Sequence, residues 1–229
     1  MFGLAERQLV PEILDALSPD DPRAKRSRAD LRRINGLMGN ARIIASLVNR
    51  HAEPRPGARF VEIGAGDGQQ TLRVARRLAP QWPDAKLLLL DINPSVASDT
   101  QRAIEALGWS VEIVAADVFD WSGGDRASHD VAWVNLVLHH FERKDLERLM
   151  AALAARARVV VAAETRRTVP SLLAAWATAL IGANDVTRHD APASVRAGFR
   201  GRELAAAWPG PTVFEGLRPP FTHAFVGTA

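Results

Sequence analysis

Short, continuously apolar runs alternate along most of the chain with longer segments in which apolar residues recur every three or four positions. The runs predict buried strands at 59–63, 86–90, 110–115, 130–136 and 158–163. The segments between them predict helices at 70–78, 95–107 and 143–155. Strands that are apolar on both faces and separated by helices indicate a parallel sheet covered on both sides.

The two ends of the chain follow other patterns. Between residues 24 and 51, three- and four-residue apolar steps predict one or two amphipathic helices. Two prolines within 53–57 prevent a helix from continuing, so we expect a helical lid or extension at 1–53 and a main domain at 54–229. After a helix predicted at 201–208, strands at 212–217 and 221–228 are too close for a parallel crossover and must be antiparallel. The chain is thus predicted to be α/β and Rossmann-like: a doubly wound, mostly parallel seven-stranded sheet with an antiparallel C-terminal strand, plus N-terminal helices.

Composition narrows the chemistry that this fold can carry. The 229 residues include no cysteine, which excludes disulfides, thiolate zinc sites, iron-sulfur clusters and a cysteine nucleophile. The isoelectric point of about 10.1 suggests a nucleic-acid partner, but the net charge at pH 7 is only +3. With no tyrosine or cysteine to titrate, the charge cannot reach zero until the few lysines deprotonate near a pKa of about 10.4. The chain is therefore only weakly basic.

No segment has the character of a membrane or export signal. The first ten residues include Glu6 and Arg7 and lack an apolar core, so we expect a cytoplasmic protein. The longest apolar run, 172–183, is shorter than the roughly 18 residues that span a bilayer, and no membrane partner is expected. Because this run is apolar nearly all round, we expect it to be buried against the domain, against a second copy in a homodimer, or over a hydrophobic acceptor.

A glycine-rich turn follows the first predicted strand, where residues 61–69 read VEIGAGDGQ. Glycines allow a tight turn and a close approach of a ligand to the main chain, and the helix that follows offers free N–H groups. A dinucleotide fingerprint requires G-x-G-x-x-G/A, but Gln69 occupies the last of those positions and Glu62 is acidic. The pattern E-x-G-x-G-x-G instead resembles the first motif of class I S-adenosylmethionine-dependent methyltransferases.

The resemblance continues at the ends of three further strands. Asp91 stands where the family's carboxylate accepts hydrogen bonds from both ribose hydroxyls, and Asp117 and Val118 stand where the family binds adenine. Residues 138–141, LHHF, match the family's fourth motif. The resemblance implies S-adenosyl-L-methionine as the cofactor. The residues that it places at the cofactor are Glu62, Gly64, Gly66, Asp67, Asp91, Ile92, Asp117, Val118 and Asn135.

The acceptor is predicted to be a small molecule. Residues 135–138 lack the two prolines and the aromatic of methylases that act on base amines, which, with the low net charge, indicates no nucleic-acid partner. Residues 28–40 and 185–190 resemble a bacterial subgroup of small-molecule methyltransferases. That resemblance implies transfer to an oxygen or carbon of a fairly apolar, aromatic or polyketide-like acceptor.

Three residues are predicted to be catalytic. His189, beside Asp190 and with Glu164 as another acidic partner, is the expected general base, and His140 is the second candidate. His139 and His140 are adjacent and no third ligand follows at zinc spacing, so we expect no metal; the pair either shapes the site or supplies a base.

Two functions of other classes stay open from the sequence. One is an NAD(P)-dependent Rossmann oxidoreductase, which the glycine spacing and the C-terminal hairpin disfavour. The other is a non-catalytic protein that binds S-adenosylmethionine, which is compatible with every motif above.

Overall fold

The computed structural model describes residues 3–18, 20–122 and 129–229, and a seven-stranded sheet lies at its centre. The strand order is β3-β2-β1-β4-β5-β7-β6. The strands are β1 (Arg59–Ile63), β2 (Lys86–Asp91), β3 (Ser110–Ala115), β4 (His129–Asn135), β5 (Ala157–Thr165), β6 (Thr212–Arg218) and β7 (Thr222–Thr228).

The sheet has a parallel part and an antiparallel part, and β7 lies in the second. Strands β1 to β5 pair in parallel, whereas β7 is antiparallel to both β5 and β6. Residues 219–221 are too few to cross the sheet, so the chain turns back at once after β6. The predicted fold class is confirmed, and each predicted strand ends within two residues of the observed one.

Helices flank the sheet and precede it. In the described part of the chain they are α1 (Ile13–Ala16), α2 (Pro22–Met38), α3 (Asn40–His51), α4 (Gln69–Leu78), α5 (Ser98–Glu105), α6 (Val118–Ser122), α7 (Arg143–Ala154), α8 (Val169–Trp176), α9 (Asp185–Ala197) and α10 (Glu203–Ala207). The predicted helices at 95–107 and 201–208 are shorter than expected at both ends.

Two hydrophobic cores lie on opposite faces of the sheet. Consecutive residues Phe60 and Val61 belong to different cores, because side chains alternate along a strand. The core around Phe60 includes Trp82 and Trp133, whose rings lie 5.0 and 5.6 Å from that of Phe60. Helices α3, α4 and α5 cover this face, and α6, α7 and α10 cover the other.

The N-terminal helices α2 and α3 contact the rest of the protein in two different ways. Gly39, with φ 70°, separates α2 from α3. In α3, Ile44 and Val48 are fully buried in the same core as Phe60. In α2, the Ser27 hydroxyl lies 2.9 Å from the hydroxyl of Thr187 on α9. The division at residue 53 stays a prediction, and Met1, Phe2 and Pro19 of the predicted extension lie outside the described residues.

The apolar run at 172–183 is buried on one face. It forms α8 and a 3-10 helix, Ala177–Ile181. Leu172 is fully buried, whereas Leu173 is 53% exposed and Leu180 is 88% exposed. The homodimer therefore stays a prediction. Among the described residues, no helix combines the length and the apolar character needed to cross a bilayer.

Candidate active site

Two adjoining cavities lie at the carboxyl ends of the parallel strands. The first, of about 260 Å³, is lined by five of the predicted cofactor residues: Glu62, Gly64, Gly66, Asp67 and Asn135. The second, of about 350 Å³, is lined by Gly64 again and by the other four: Asp91, Ile92, Asp117 and Val118. Because the cavities also share Asp15 and His140, they form one cleft, which we call the cofactor cleft. The fold thus brings all nine residues together, and their roles stay predictions.

The glycine turn shapes the floor of this cleft. Gly64 has φ 74°, and a Cβ there would lie 2.3 Å from Cγ2 of Val137. Gly66 has φ 55°, and a Cβ there would meet no atom within 4 Å. Gly64 is therefore required for packing, whereas Gly66 leaves its backbone open to a ligand.

The Asp91 carboxylate holds the glycine turn against the end of β2. Its Oδ2 accepts a hydrogen bond from the Gly66 N–H at 2.7 Å, and its Oδ1 accepts one from Asn93 N–H at 2.8 Å. A carboxylate has about four lone pairs, so two stay available for hydroxyl donors. Asp117 also has a local role, because its Oδ1 accepts from the Phe119 N–H at 2.7 Å in the first turn of α6.

Glu62 is a buried acid at the end of β1. Its side chain is bonded to the Thr71 hydroxyl on α4. Burial raises the pKa of Glu62 to about 8, although the hydrogen bond from Thr71 opposes the shift. Glu62 is therefore mostly protonated at neutral pH in the free protein and would ionise beside a bound cation.

Polar atoms without partners identify what kind of ligand fits the cleft. Among the described residues, Asn35 Oδ1 and both amide atoms of Gln70 are buried without a hydrogen bond, and both residues line the first cavity. Such atoms are rare in native proteins unless a ligand or water satisfies them. Together with the Glu62 carboxyl, they offer donors and acceptors to an amino-acid group, while Asp91 and the open Gly66 suit a nucleoside. The residues therefore fit S-adenosylmethionine.

Arg32 and Asn40 connect the N-terminal helices to the cleft. Arg32 Nη1 lies 2.8 Å from Asp67 Oδ2 in the glycine turn. Asn40 Nδ2 donates to Asn135 Oδ1 at 2.8 Å, and Asn40 Oδ1 accepts from the Thr222 hydroxyl at 2.6 Å. These contacts fix α2 against the glycine turn and α3 against β4 and β7.

His139, in the 3-10 turn that follows β4, lines the first cavity and is bound from behind by Glu164 of β5. His139 Nδ1 lies 2.7 Å from Glu164 Oε2, and both side chains are buried. Glu164 Oε1 accepts from the N–H groups of Val137 and Leu138 at 2.9 and 2.8 Å. Burial lowers the pKa of His139, but the negative charge of Glu164 and the Glu12 carboxylate raise it more, to about 9.

The short helix α1 brings two acids to the same place. Glu12 Oε1 lies 3.5 Å from His139 Nε2, and Asp15 Oδ2 lies 3.4 Å from His140 Nδ1. Burial lowers the pKa of His140, and the neighbouring positive charge of His139 lowers it further. Neither acid was predicted to belong to the site, because nothing in the sequence relates residues 12–15 to residues 139–140.

The two other predicted catalytic residues lie outside both cavities. His189 is exposed over about half of its side chain, and its Nδ1 lies 2.9 Å from Asp190 Oδ1. The buried Asp190 carboxylate accepts from the N–H groups of Ile13 and Leu14 at 2.9 and 3.0 Å. The structure thus gives Asp190 the role of anchoring α1. Catalytic roles for His189, Asp190 and His140 stay predictions, and only His140 lines the cleft.

A third cavity, of about 260 Å³, opens beside the cofactor cleft and is mostly apolar. It lies between α2, α8 and α9 and shares Leu31, Leu136 and Ser194 with the first cavity. Among its other lining residues are Ile34, Met38, Ala175, Val195 and Phe221. We call it the apolar cavity.

A glycine turn, an acid at the end of β2 and a reversed last strand define an α/β domain that binds a nucleoside-containing cofactor at its strand ends. Residues 60–159 match the family model described as "Methyltransferase domain". The chain therefore contains a class I methyltransferase domain, whose cofactor is S-adenosylmethionine, and the prediction of that class is confirmed. The dinucleotide oxidoreductase receives no support.

Solved structures of similar proteins match the fold over nearly the whole chain. The chain is 16% identical to an O-methyltransferase family protein from Burkholderia thailandensis, with a TM-score of 0.63 over 99% of this chain and 65% of that one. It is 12% identical to magnesium protoporphyrin IX methyltransferase from Synechocystis PCC 6803, solved with bound S-adenosylmethionine, with a TM-score of 0.53 over 94% and 88%. These similarities show the fold.

One similarity in sequence to a known protein covers a smaller part of the chain. The chain is 29% identical over 76 residues to ribosomal RNA small subunit methyltransferase C from Stutzerimonas stutzeri, which is 33% of this chain and 22% of that protein. The chain thus spans under a quarter of this relative and about two thirds of the Burkholderia protein.

Proposed function

We propose that the chain transfers the methyl group of S-adenosylmethionine to an oxygen or an activated carbon of a small, fairly apolar acceptor. One observation supports this most: the cofactor cleft opens into the apolar cavity through Leu31, Leu136 and Ser194. An acceptor in the apolar cavity would present its nucleophilic atom at the junction, next to His139.

The residues of the cleft would bind and orient the cofactor. Asp91 would hold the ribose hydroxyls, Asp117 and Val118 the adenine, and Glu62 with Gln70 the amino-acid end. S-adenosylmethionine, when bound, supplies an electrophilic methyl group on a positively charged sulfur. Methyl transfer to a second molecule depends mainly on alignment, because holding both reactants in line replaces a bimolecular encounter.

The polar groups at the junction would orient the acceptor's nucleophilic atom through hydrogen bonds. Glu164 binds Nδ1 of His139, so Nε2 is the ring atom left to face the cavity. Leu31 and Leu136 at the junction would keep water away from the reacting atoms, which would strengthen each electrostatic contact there. Helix α1, anchored by Asp190, closes this side of the site.

A small molecule suits the apolar cavity better than RNA does. Its described lining includes Arg166 but is otherwise dominated by aliphatic and small residues, whereas single-stranded nucleic acid is usually bound by basic grooves and stacking aromatics. Magnesium protoporphyrin IX methyltransferase, which is named for a small-molecule acceptor, has the same fold. A cytoplasmic location, the absence of a nucleic-acid partner and a homodimer belong to this proposal and need their own tests.

Binding and transfer can be measured separately. S-adenosylhomocysteine at 100 times its dissociation constant should raise the free energy of unfolding by about 2.7 kcal/mol, and nicotinamide nucleotides should not. Radiolabelled S-adenosylmethionine with a panel of phenols, enols and short RNAs should label an apolar phenol or enol. Labelling of RNA alone would overturn the acceptor class, and binding without any labelling would favour the non-catalytic alternative.

Asp91→Ala gives the matching test of the cofactor side. The change removes a carboxylate whose hydrogen bonds to hydroxyls are worth roughly 1.5 to 3 kcal/mol each. S-adenosylhomocysteine affinity, measured by calorimetry, should fall at least about tenfold. Asp99→Ala, which removes an exposed acid on α5, is the control and should leave the affinity unchanged. Unchanged affinity in a folded Asp91→Ala protein would remove Asp91 from the site.

A further inference from the structure

We propose that Glu12, His139 and His140 bind a divalent cation of the zinc class at the junction between the cofactor cleft and the apolar cavity. One ligand atom from each residue lies within 4.8 Å of the other two. Glu12 is 127 positions before His139, so sequence spacing gives no sign of the third ligand. The inference rests on the proposed function, because it assigns the ion a place beside the reacting acceptor atom.

The distances suit a tetrahedral ion. Zinc binds nitrogen and oxygen at about 2.0 to 2.2 Å, which places neighbouring ligand atoms about 3.4 Å apart. Glu12 Oε1 and His139 Nε2 are 3.5 Å apart. His140 is partly exposed, with one third of its side chain accessible, so its ring can turn toward the same point. Two histidines and one glutamate are also a ligand set of catalytic zinc sites, where the fourth position stays open.

The groups behind the ligands strengthen the assignment. A metal-bound histidine almost always donates its other ring N–H to a carboxylate or carbonyl, which fixes the ring and its tautomer. Glu164 makes this contact with His139 Nδ1 and is itself held by two backbone N–H groups. Asp15 lies 3.4 Å from His140 Nδ1 and stands in the corresponding position for the second histidine. An ion pair between Glu12 and His139 alone would not need a further carboxylate behind each histidine.

The position of the cluster indicates what the ion would do. All three ligands line the first cavity, which also contains the glycine turn and continues into the apolar cavity. An acceptor hydroxyl in the open coordination position would lose its proton to solvent, because a bound cation lowers the pKa of its oxygen ligand. That oxygen would then form the new bond to the methyl carbon as the bond from carbon to sulfur breaks, which releases S-adenosylhomocysteine.

Metal binding can be tested without any methyl transfer. The full chain, first treated with a chelator, should take up one equivalent of Zn²⁺ in equilibrium dialysis. With Co²⁺ as the probe, it should show the intense visible absorption of a tetrahedral complex. Glu12→Gln and His140→Gln should each weaken binding of either ion at least about tenfold, on the scale seen when metal sites lose supporting groups. His51→Gln, which alters a histidine on α3 outside the cluster, should bind like the unchanged protein.

Two outcomes would overturn the proposal. One is the absence of Zn²⁺ uptake and of a tetrahedral Co²⁺ spectrum, which would leave an ion pair only. The other is uptake that persists unchanged in both ligand variants. S-adenosylhomocysteine binding is measured in the same samples: if it is intact while metal binding is absent, the metal proposal fails and the proposed function stands. If S-adenosylhomocysteine does not bind, the proposed function fails whatever the metal result.

Discussion

The two halves of the site are built in different ways. The cofactor cleft is formed by the ends of β1 to β4, and two of its acids, Asp91 and Asp117, each accept from a backbone N–H two residues further on. The acceptor side is formed by α1, α2, α8 and α9, and its contacts join distant parts of the chain, as Asp190 joins Ile13. The first half is therefore fixed by local sequence and the sheet, whereas the second depends on how helices dock.

The largest effect is expected for Gly64→Ala, which disrupts only the cofactor half of the site. Gly64→Ala would place a Cβ 2.3 Å from Val137 Cγ2 at a positive φ, so the turn must move. Overpacking and strain of this kind cost about 1 to 3 kcal/mol each, and S-adenosylhomocysteine affinity should fall by about 100-fold. Calorimetry and a thermal melt measure the two consequences. Gly57→Ala is the control, because Gly57 has φ 65° with no atom within 4 Å of a Cβ, and it should show only the strain.

The next largest effect is expected for Asp190→Ala, which alters the acceptor half and leaves the cofactor half in place. Asp190→Ala leaves two N–H groups of α1 without acceptors, which weakens docking of that helix by about 1 to 3 kcal/mol. The rate of methyl transfer should fall about tenfold or more, while S-adenosylhomocysteine affinity should change little.

His189→Ala is the matched variant for this measurement, because His189 is the exposed neighbour of Asp190 and lies outside the cavities. If anchoring of α1 is what matters, its rate should stay near that of the unchanged protein. A loss in His189→Ala as large as that in Asp190→Ala would instead support His189 as the general base.

The sequence was informative where function depends on local pattern. Apolar runs predict the strands, and the residues that follow them predict the cofactor cleft, because parallel strands bring their carboxyl ends to one edge. Glu164 was named from the sequence as an acid beside His189, but the structure places it against His139, because β5 runs beside β4. The docking of α1 was not predictable, since an amphipathic or polar segment does not specify which surface it contacts.

A different kind of effect, on the pH dependence of stability, concerns the ionisation of Glu62 in the cofactor half. Its pKa is raised to about 8 by burial, so the folded protein binds more protons than the unfolded chain between the ordinary glutamate pKa and about 8. Stability should therefore fall as pH rises through this window, by up to about 1.4 kcal/mol per pH unit. Denaturant unfolding at pH 5, 7 and 9 should show a steeper loss in the unchanged protein than in Glu62→Gln. Parallel pH profiles would mean that Glu62 is already ionised in the fold.

The smallest effect concerns the apolar face of the acceptor half. Leu180 is 88% exposed, and Trp176 and Ile181 expose 44% and 53%. In a monomer, Leu180→Ser removes an exposed side chain and should change the free energy of unfolding by less than about 0.5 kcal/mol. If a second copy covers this face, the same change should shift sedimentation toward the monomer and lower the melting temperature in a concentration-dependent way. Ala151→Ser, on the exposed side of α7, is the control for a surface change that no dimer through α8 would cover. Equal sedimentation of all three proteins as monomers would remove the homodimer from the proposal and leave α8 as a one-sided wall of the apolar cavity.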